Sequence, residues 1–248
     1  MLFHDSETTA FYFLQDLAFV PVQIVTVTII LNRFLNMIED KKKAKKINVI
    51  ISTFFVDAGI SILAALAAFN ENNEELSRLF SQDGFDRRKA AHLKKQVREF
   101  DYDIRVTSEK LMQLAETMDR YRDYTLNMLG NDNLLEHDSF TDMLWAAFHV
   151  ADELKTRRNT GSQEAEGVSA RRKLDNLGED DLAHLQNDIL RAYTAMTVEW
   201  VNYMVYLREG YPFLYALAVE KNPYKSGVSK AHLQNSTRQF AQVSRMRT

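Results

Sequence analysis

The sequence has no cysteine, only three prolines and only eight glycines among its 248 residues. The lack of cysteine excludes disulfides, thiolate nucleophiles and cysteine-ligated zinc. The glycines lie mostly among polar residues, and Gly59 alone lies within a strongly apolar segment. Long stretches are therefore free of residues that break helices, which is typical of helical proteins rather than of short strands joined by turns. The sequence predicts an all-α fold.

The motifs of common enzyme classes are also missing. The sequence contains no glycine-rich phosphate loop, no His-Glu-x-x-His and no Gly-x-Ser-x-Gly. We assign no catalytic residue and no cofactor-binding residue, and we expect no cofactor. Enzymatic activity is left open, with a non-enzymatic role preferred.

Positive charge is concentrated in two segments that flank an acidic body. Residues 33–46 hold six basic and two acidic side chains, and residues 221–248 hold six basic side chains and no acidic one. This pattern argues against a nucleic-acid partner, which would need one dominant basic face, and favours basic segments lying on an anionic lipid surface. The alternative is that residues 221–248 form a basic polar tail in solution.

One apolar run near the N-terminus has the length of a membrane span. Phe11–Leu31 contains 21 residues. As a helix they extend about 31 Å, close to the ~30 Å hydrocarbon core of a bilayer. Asp16 and Arg33 lie near the two ends of the run, where polar groups reach the interface. The sequence therefore predicts a transmembrane anchor over residues 11–35, with the lipid bilayer as a partner.

The charges on either side of the anchor predict its orientation. A secretory signal peptide would have basic residues before the apolar run, but residues 1–10 contain acidic residues and no lysine or arginine. The lysines of a basic junction, residues 36–46, follow the run instead, and the positive-inside rule places that side in the cytoplasm. We therefore expect an outer tail over residues 1–10 and a cytoplasmic helical domain over residues 47–220.

Polar residues within the anchor indicate a further partner. Asp16, Gln23 and Thr26 share one face of the predicted helix. Polar groups at membrane depth seek partners on other helices. This face therefore predicts a homo-oligomer or another protein partner.

A second apolar segment, residues 47–69, has two interpretations. Its large apolar residues point in all directions on a helical wheel, which is typical of a helix buried on every side. As a membrane span it would place Asp57 near the bilayer centre at a cost of about 2.5–3.5 kcal/mol, which its apolar residues are able to outweigh. We prefer the buried helix and keep the second span as the alternative.

The remaining helices of the domain are predicted from apolar stripes between polar joints. They cover residues 86–98, a stretch from a cap at Thr107 or Ser108 to Leu129, and residues 138–157, 180–209 and 212–220. Residues 100–106 are predicted to be extended, and residues 156–178 to form a mobile loop.

Two pairs of residues have a spacing compatible with a metal site. His149 with Glu153, and His184 with Asp188, each lie four residues apart on predicted helices. Carboxylate–imidazole metal sites inside helical bundles take ligands from facing helices in this way. The alternative, which we prefer on sequence alone, is that both are solvated pairs on the polar faces of amphipathic helices.

Several short segments of the sequence resemble those of a known family. They are Leu134–Thr141, Phe148-His149 followed by Glu153-Leu154, and Tyr211–Ala218 with Asn222-Pro223. They are similar to an uncharacterised family of bacterial membrane-anchored all-helical proteins, over most of the chain after Phe11. That family has no assigned activity, so the resemblance implies a location in a bacterial inner membrane and nothing about a substrate.

Three functions are compatible with these observations. The preferred one is a membrane-tethered interaction or scaffolding module whose acidic helical body binds another protein. The second is a metal-binding helical-bundle enzyme or sensor that uses His149, Glu153, His184 and Asp188. The third is a small oligomeric transport or channel subunit.

Overall fold

The computed structural model describes residues 6–131, 134, 137–159 and 178–224. Most of the predicted loop and most of the C-terminal tail lie outside these residues. The helices, numbered α1 to α8 in chain order, are Ser6–Phe54, Ile60–Ala67, Asn73–Asp83, Arg87–Arg98, Ser108–Leu129, Asp138–Asn159, Glu179–Gly210 and Pro212–Glu220. A π-helical turn, Phe55–Gly59, joins α1 to α2.

β-Structure is rare in the described residues. It is limited there to an isolated antiparallel bridge between Asn70 and Ile104, and Ile104 lies within the stretch that the sequence predicts to be extended. The all-α prediction is confirmed, and so is a long apolar N-terminal helix followed by a helical bundle.

The chain divides into two compact units, with the boundary between Ile47 and Asn48. In the N-terminal unit every described side chain from Thr8 to Met37 is exposed. The helical stretch Thr8–Ala67, which crosses the boundary, contains a segment long and apolar enough to cross a membrane, judged by length and composition alone, but 61% of that segment is buried, so it lies in the second apolar segment and not in the exposed residues 8–37. Insertion of residues 11–35 into a membrane stays a prediction.

The second apolar segment lies inside the bundle. Although Val49 and Val56 are 49% and 63% exposed, most of its large side chains are almost completely buried, namely Ile51, Phe54, Phe55, Ile62, Leu63, Leu66 and Phe69. Helix α2, which carries several of them, packs against α5 and α7. These side chains contact protein, as the buried-helix interpretation requires, and Asp57 lies at the surface.

Helix α7 is the central helix of the bundle. It packs against α2, α4, α6 and α8, and α5 packs against α2 and α6. The buried ring of Trp200 on α7 lies 5.1 Å from the ring of Phe80 and 5.0 Å from the rings of Phe85 and Tyr224. Aromatic contacts at these distances add to the area that the rings bury, so they help to hold α3 and the segment after α8 against α7.

Side-chain caps explain where two helices begin. Asp86 accepts a hydrogen bond from the backbone N–H of Arg88 at 2.8 Å, and α4 starts directly after it. Thr107 accepts one from the backbone N–H of Lys110 at 3.3 Å at the start of α5. Both bonds satisfy donors that the first turn of a helix leaves free. The predicted starts of these two helices are confirmed.

Helix α6 is longer than the sequence predicts. It runs to Asn159, so the first residues of the predicted loop 156–178 are helical. In this last turn, Arg158 pairs with Asp119 of α5 at 2.6 Å. The contact comes from a helix distant in sequence, which is why local composition did not indicate it.

Replacing Gly59 with alanine is expected to destabilise the bundle. A Cβ atom here would meet the rings of Phe54 and Phe55 at 2.7 and 2.8 Å, and both rings are fully buried. Overpacking of this kind costs about 1–3 kcal/mol, which outweighs the ~1 kcal/mol that alanine gains over glycine in a helix. The midpoint of thermal unfolding should fall. Gly210→Ala is the control, since its Cβ would meet no other atom within 4 Å; equal midpoints for the two variants would contradict the prediction.

The bundle is expected to lose stability as the pH rises from 10 to about 12. Burial raises the pKa of Tyr203 from 10.0 to about 12. The unfolded chain ionises this phenol near pH 10 whereas the folded chain keeps it neutral, so a contribution fully present below pH ~10 is lost above it. In the Tyr203→Phe variant the free energy of unfolding, measured by denaturant titration at each pH, should fall less steeply over this range. An unchanged slope would show that this phenol is not responsible.

Candidate metal centre

Two pairs of side chains meet where α6 and α7 pack together. His149 and Glu153 lie one helical turn apart on α6, and His184 and Asp188 lie one turn apart on α7. Residues i and i+4 share a helix face, so each helix presents both members of its pair. One donor atom from each of the four side chains lies within 4.8 Å of the other three. The structure therefore brings together all four residues that the sequence singled out.

Asp188 lies at the centre of this cluster. Its Oδ2 atom is 3.2 Å from His149 Nε2 and 3.2 Å from His184 Nε2. Glu153 Oε1 is 3.7 Å from His184 Nε2. The side chain of Asp188 is 9% exposed, whereas those of His149 and His184 are 51% and 60% exposed. A buried carboxylate is thus in contact with two imidazoles that face solvent.

Two arginines contact the carboxylates, Arg191 at the Asp188 oxygen that faces away from the imidazoles and Arg157 at Glu153 Oε1, the oxygen that also faces His184. Arg191 pairs with Asp188 Oδ1 at 3.1 Å, and Arg157 pairs with both Glu153 and Asp181. Burial alone would lower the pKa of Arg157, but its hydrogen bonds to Glu153 and Asp181 outweigh burial and raise it. In metal sites, outer partners of this kind fix the orientation of the ligating carboxylates.

One oxygen of each carboxylate is buried and accepts no hydrogen bond from the residues that the structure describes. These atoms are Asp188 Oδ2 and Glu153 Oε2. The Asp188 oxygen lies close to both imidazole nitrogens, yet it forms a hydrogen bond with neither. A buried carboxylate oxygen is costly unless a cation or a donor satisfies it. The four donor groups therefore contact one another as ion pairs and lie close enough together to bind one ion.

This donor set suits a divalent transition metal. Imidazole nitrogen combined with carboxylate oxygen is typical of zinc, iron and manganese sites. Bonds of ~2.0–2.2 Å let donors around one ion lie up to about 4.4 Å apart, so the widest separation, 4.8 Å, would close by roughly half an ångström. The exposed imidazoles have room for that movement. His149, Glu153, His184 and Asp188 are the residues that would hold the ion.

The structure differs from the solvated-pair interpretation at both carboxylates. The sequence shows Asp188 and Glu153 on polar helix faces, but the packing of α6 on α7 covers them. Arg157 was not predicted as a partner of Glu153, although it lies four residues after it, the spacing of a helical ion pair.

Other candidate positions lie outside this cluster. His137 belongs to the start of α6, because its Nδ1 accepts a hydrogen bond from the backbone N–H of Phe140 at 3.3 Å. In the N-terminal unit Asp16, Gln23 and Thr26 are exposed. The hydroxyl of Thr26 donates to the carbonyl of Val22 within its own helix, at 2.8 Å. Self-association through this face stays a prediction.

Comparison with known proteins finds uncharacterised helical relatives. Residues 43–220 match the family model of the C-terminal helical domain of the uncharacterized protein MJ1433, and residues 1–35 match the model of its N-terminal helical domain. Uncharacterized protein MJ1433 of Methanocaldococcus jannaschii is 33% identical over 213 residues, which cover 86% of this chain and 80% of that protein. No solved structure matches the chain.

These matches confirm the resemblance to an uncharacterised helical family. They give no support to the bacterial origin that the resemblance implied, because the relative comes from an archaeon. Neither family model carries an activity, a ligand or a partner in its description. The function therefore has to be argued from this chain's own residues.

Proposed function

Because the chain belongs to the MJ1433 family of helical proteins, which brings no activity with it, we propose a function from the geometry of the chain itself. It is a membrane-anchored helical protein that binds one divalent transition-metal ion between α6 and α7. The ligands are His149, Glu153, His184 and Asp188. This role was the second hypothesis from the sequence, and the packing of α6 on α7 moves it ahead of the interaction module.

The inner oxygen of Asp188 is the observation that carries this proposal. In an ordinary cluster of ion pairs, a buried carboxylate oxygen accepts a hydrogen bond from an arginine or a histidine. Here Arg191 engages the outer oxygen, and the inner one faces two imidazole nitrogens at 3.2 Å without a hydrogen bond. A cation among these groups would satisfy the oxygen and both nitrogens at once.

The local charge balance is compatible with a cation. Glu153, Asp181 and Asp188 contribute three carboxylates, and Arg157 and Arg191 contribute two guanidinium groups. One negative charge is left over, and the imidazoles bind a metal through their lone pairs, without needing a charge of their own. The arginines weaken the attraction for a cation, so binding depends on coordination geometry more than on charge.

The metal that binds determines what the site is able to do. Four protein ligands close a tetrahedral zinc site and give it a structural role. An octahedral ion such as Mn²⁺ or Fe²⁺ would keep two positions for water or a small ligand, as a catalytic or sensing site requires. The imidazoles are more than half exposed, so such a ligand would enter directly from solvent.

The proposal includes a membrane location. Residues 11–35 form the anchor, and the metal site lies in the cytoplasm on the side of the lysines. The support is the unbroken exposure of apolar side chains from Phe11 to Leu35 in the isolated chain, because soluble proteins rarely expose apolar surfaces of this extent. The basic residues 36–46 support the orientation through the positive-inside rule.

An interaction module is the second candidate function. The observation that favours it is Trp145, which is 56% exposed on α6 and contacts Phe148. Exposed tryptophans are common at the centres of protein interfaces. Trp145 lies one helical turn before His149 and is not one of the four ligands. This role is therefore compatible with metal binding.

The purified full-length protein is expected to bind one metal ion per chain, measured in separate calorimetric titrations with Zn²⁺, Mn²⁺ and Fe²⁺. His184→Ala and Asp188→Asn should each weaken binding of the preferred ion more than about 100-fold, because loss of a ligand exceeds the 10–100-fold effect of losing an outer partner. His92→Ala is the matched control, an exposed histidine on α4 outside the cluster. Affinities that are equal in all three variants and the native chain would refute the site.

A stability measurement provides an independent readout. At a free metal concentration of 100 times Kd, binding to the folded state alone adds about 2.7 kcal/mol to the free energy of unfolding. The metal should therefore raise the unfolding midpoint of the native chain and of His92→Ala, and leave that of Asp188→Asn unchanged.

A further inference from the structure

A polar cavity of about 510 Å³ lies in the bundle, lined by residues of α1, α4, α6 and α7. Its volume is that of a small-molecule site. None of the four metal-centre residues lines it. The lining residues that matter here are Lys94, Arg87, His137, Glu199, Asn202 and Ser52.

A buried carboxylate with a free oxygen forms part of this cavity. Glu199 is 1% exposed. Its Oε2 accepts a hydrogen bond from Asn202 Nδ2 at 3.1 Å, and Asn202 Oδ1 accepts one from Lys94 Nζ at 3.0 Å. Glu199 Oε1 is also buried and accepts no hydrogen bond from the residues that the structure describes. The side chain is therefore held from one side by a chain of bonds that ends in a cation, and its other oxygen lacks a donor among those residues.

The rest of the wall offers donors to an anion. Lys94 donates a hydrogen bond to the neutral amide of Asn202. His137 Nδ1 accepts a hydrogen bond from Phe140, so the other ring nitrogen carries the hydrogen and is a donor. Arg87 is paired with Glu209 at the exposed edge, at 3.1 Å. A ligand with an ammonium for Glu199 and a phosphate or carboxylate for Lys94 complements both charges.

An apolar groove of about 320 Å³ adjoins the polar cavity. The two share Ser52 and Tyr206 as lining residues. The groove is otherwise lined mainly by apolar side chains, namely Val49, Val56, Leu207 and Leu214, together with Thr53, Asp57 and Tyr211. Helix α8 adds Phe213 beside Leu214, and its side chain is 76% exposed. A polar cavity that opens beside an apolar groove matches a ligand with a charged end and a hydrocarbon end.

We propose that these two cavities together bind one lipid amphiphile with a zwitterionic headgroup. Its ammonium pairs with Glu199, its phosphate with Lys94, and its hydrocarbon chain lies in the groove against Val56 and Leu214. The wall segment 48–57 follows in sequence the exposed apolar helix that is proposed above as the membrane anchor, so the choice of a lipid rests on that proposed membrane location. This site does not depend on the metal centre.

The test uses full-length protein in detergent and native mass spectrometry to count bound ligands. Three probes separate the contributions of headgroup and chain. They are palmitoyl lysophosphatidylethanolamine, palmitoyl lysophosphatidylglycerol, which lacks the ammonium, and phosphoethanolamine, which lacks the chain. We expect one lysophosphatidylethanolamine per protein chain, bound at least tenfold more tightly than either of the other two probes.

Two variants assign the two ends of the ligand. Glu199→Gln should remove the tenfold preference for the ammonium lipid without weakening lysophosphatidylglycerol, with Glu116→Gln on the exposed face of α5 as the control. Leu214→Ser should weaken both lipids several-fold and leave phosphoethanolamine unchanged, with the exposed Leu182→Ser as the control. If Glu199→Gln fails to fold, Lys94→Gln with Lys95→Gln as its control tests the phosphate contact at the same cavity.

Two outcomes would overturn the proposal. Equal binding of the two lipids that Glu199→Gln does not alter would show ordinary detergent-like association. Binding of phosphoethanolamine as tight as that of the lipid, and insensitive to Leu214→Ser, would show that the cavity takes a free zwitterion instead of a lipid. All of these variants should still bind metal, which would show that the lipid site and the metal centre are independent of each other.

Discussion

Helix α7 is held on four sides, by α2, α4, α6 and α8, and its packing determines where the candidate sites form. A helix of 32 residues that buries aromatic and apolar side chains over most of its surface has one position in which all of them fit. In that position its first turns lie against α6 and its C-terminal half lies against α4. The metal-centre residues and the Glu199 cavity are both consequences of this packing.

The two apolar segments, residues 11–35 and 47–69, have similar compositions but different surroundings in the structure. Both are long enough to span a membrane, and composition alone treats them alike. In the structure one is exposed along its length and the other is enclosed by helices. The enclosed segment contains Gly59, which lets the rings of Phe54 and Phe55 pack against the π-helical turn. That close approach is specific to a protein interior, where side chains interlock, whereas lipid makes no such demand.

Local patterns predicted much of the fold, and tertiary contacts account for the rest. The starts of α4 and α5 were readable because Asp86 and Thr107 are caps, which act within a single turn. The spacing of His149 and Glu153 was readable for the same reason. The burial of Asp188 was not, because another helix produces it and helical periodicity describes only one helix at a time. The π-helical turn also has no signature in an apolar run.

The continuity of α7 has a mechanical consequence. Asp188 and Glu199 are eleven residues apart on it, about 16 Å along the axis, and no proline or glycine lies between Glu179 and Glu209. Sharp bends in helices arise at such residues, so this part of α7 has no residue at which a kink would be expected. The helix therefore keeps the imidazole cluster and the Glu199 cavity at a fixed separation along its axis.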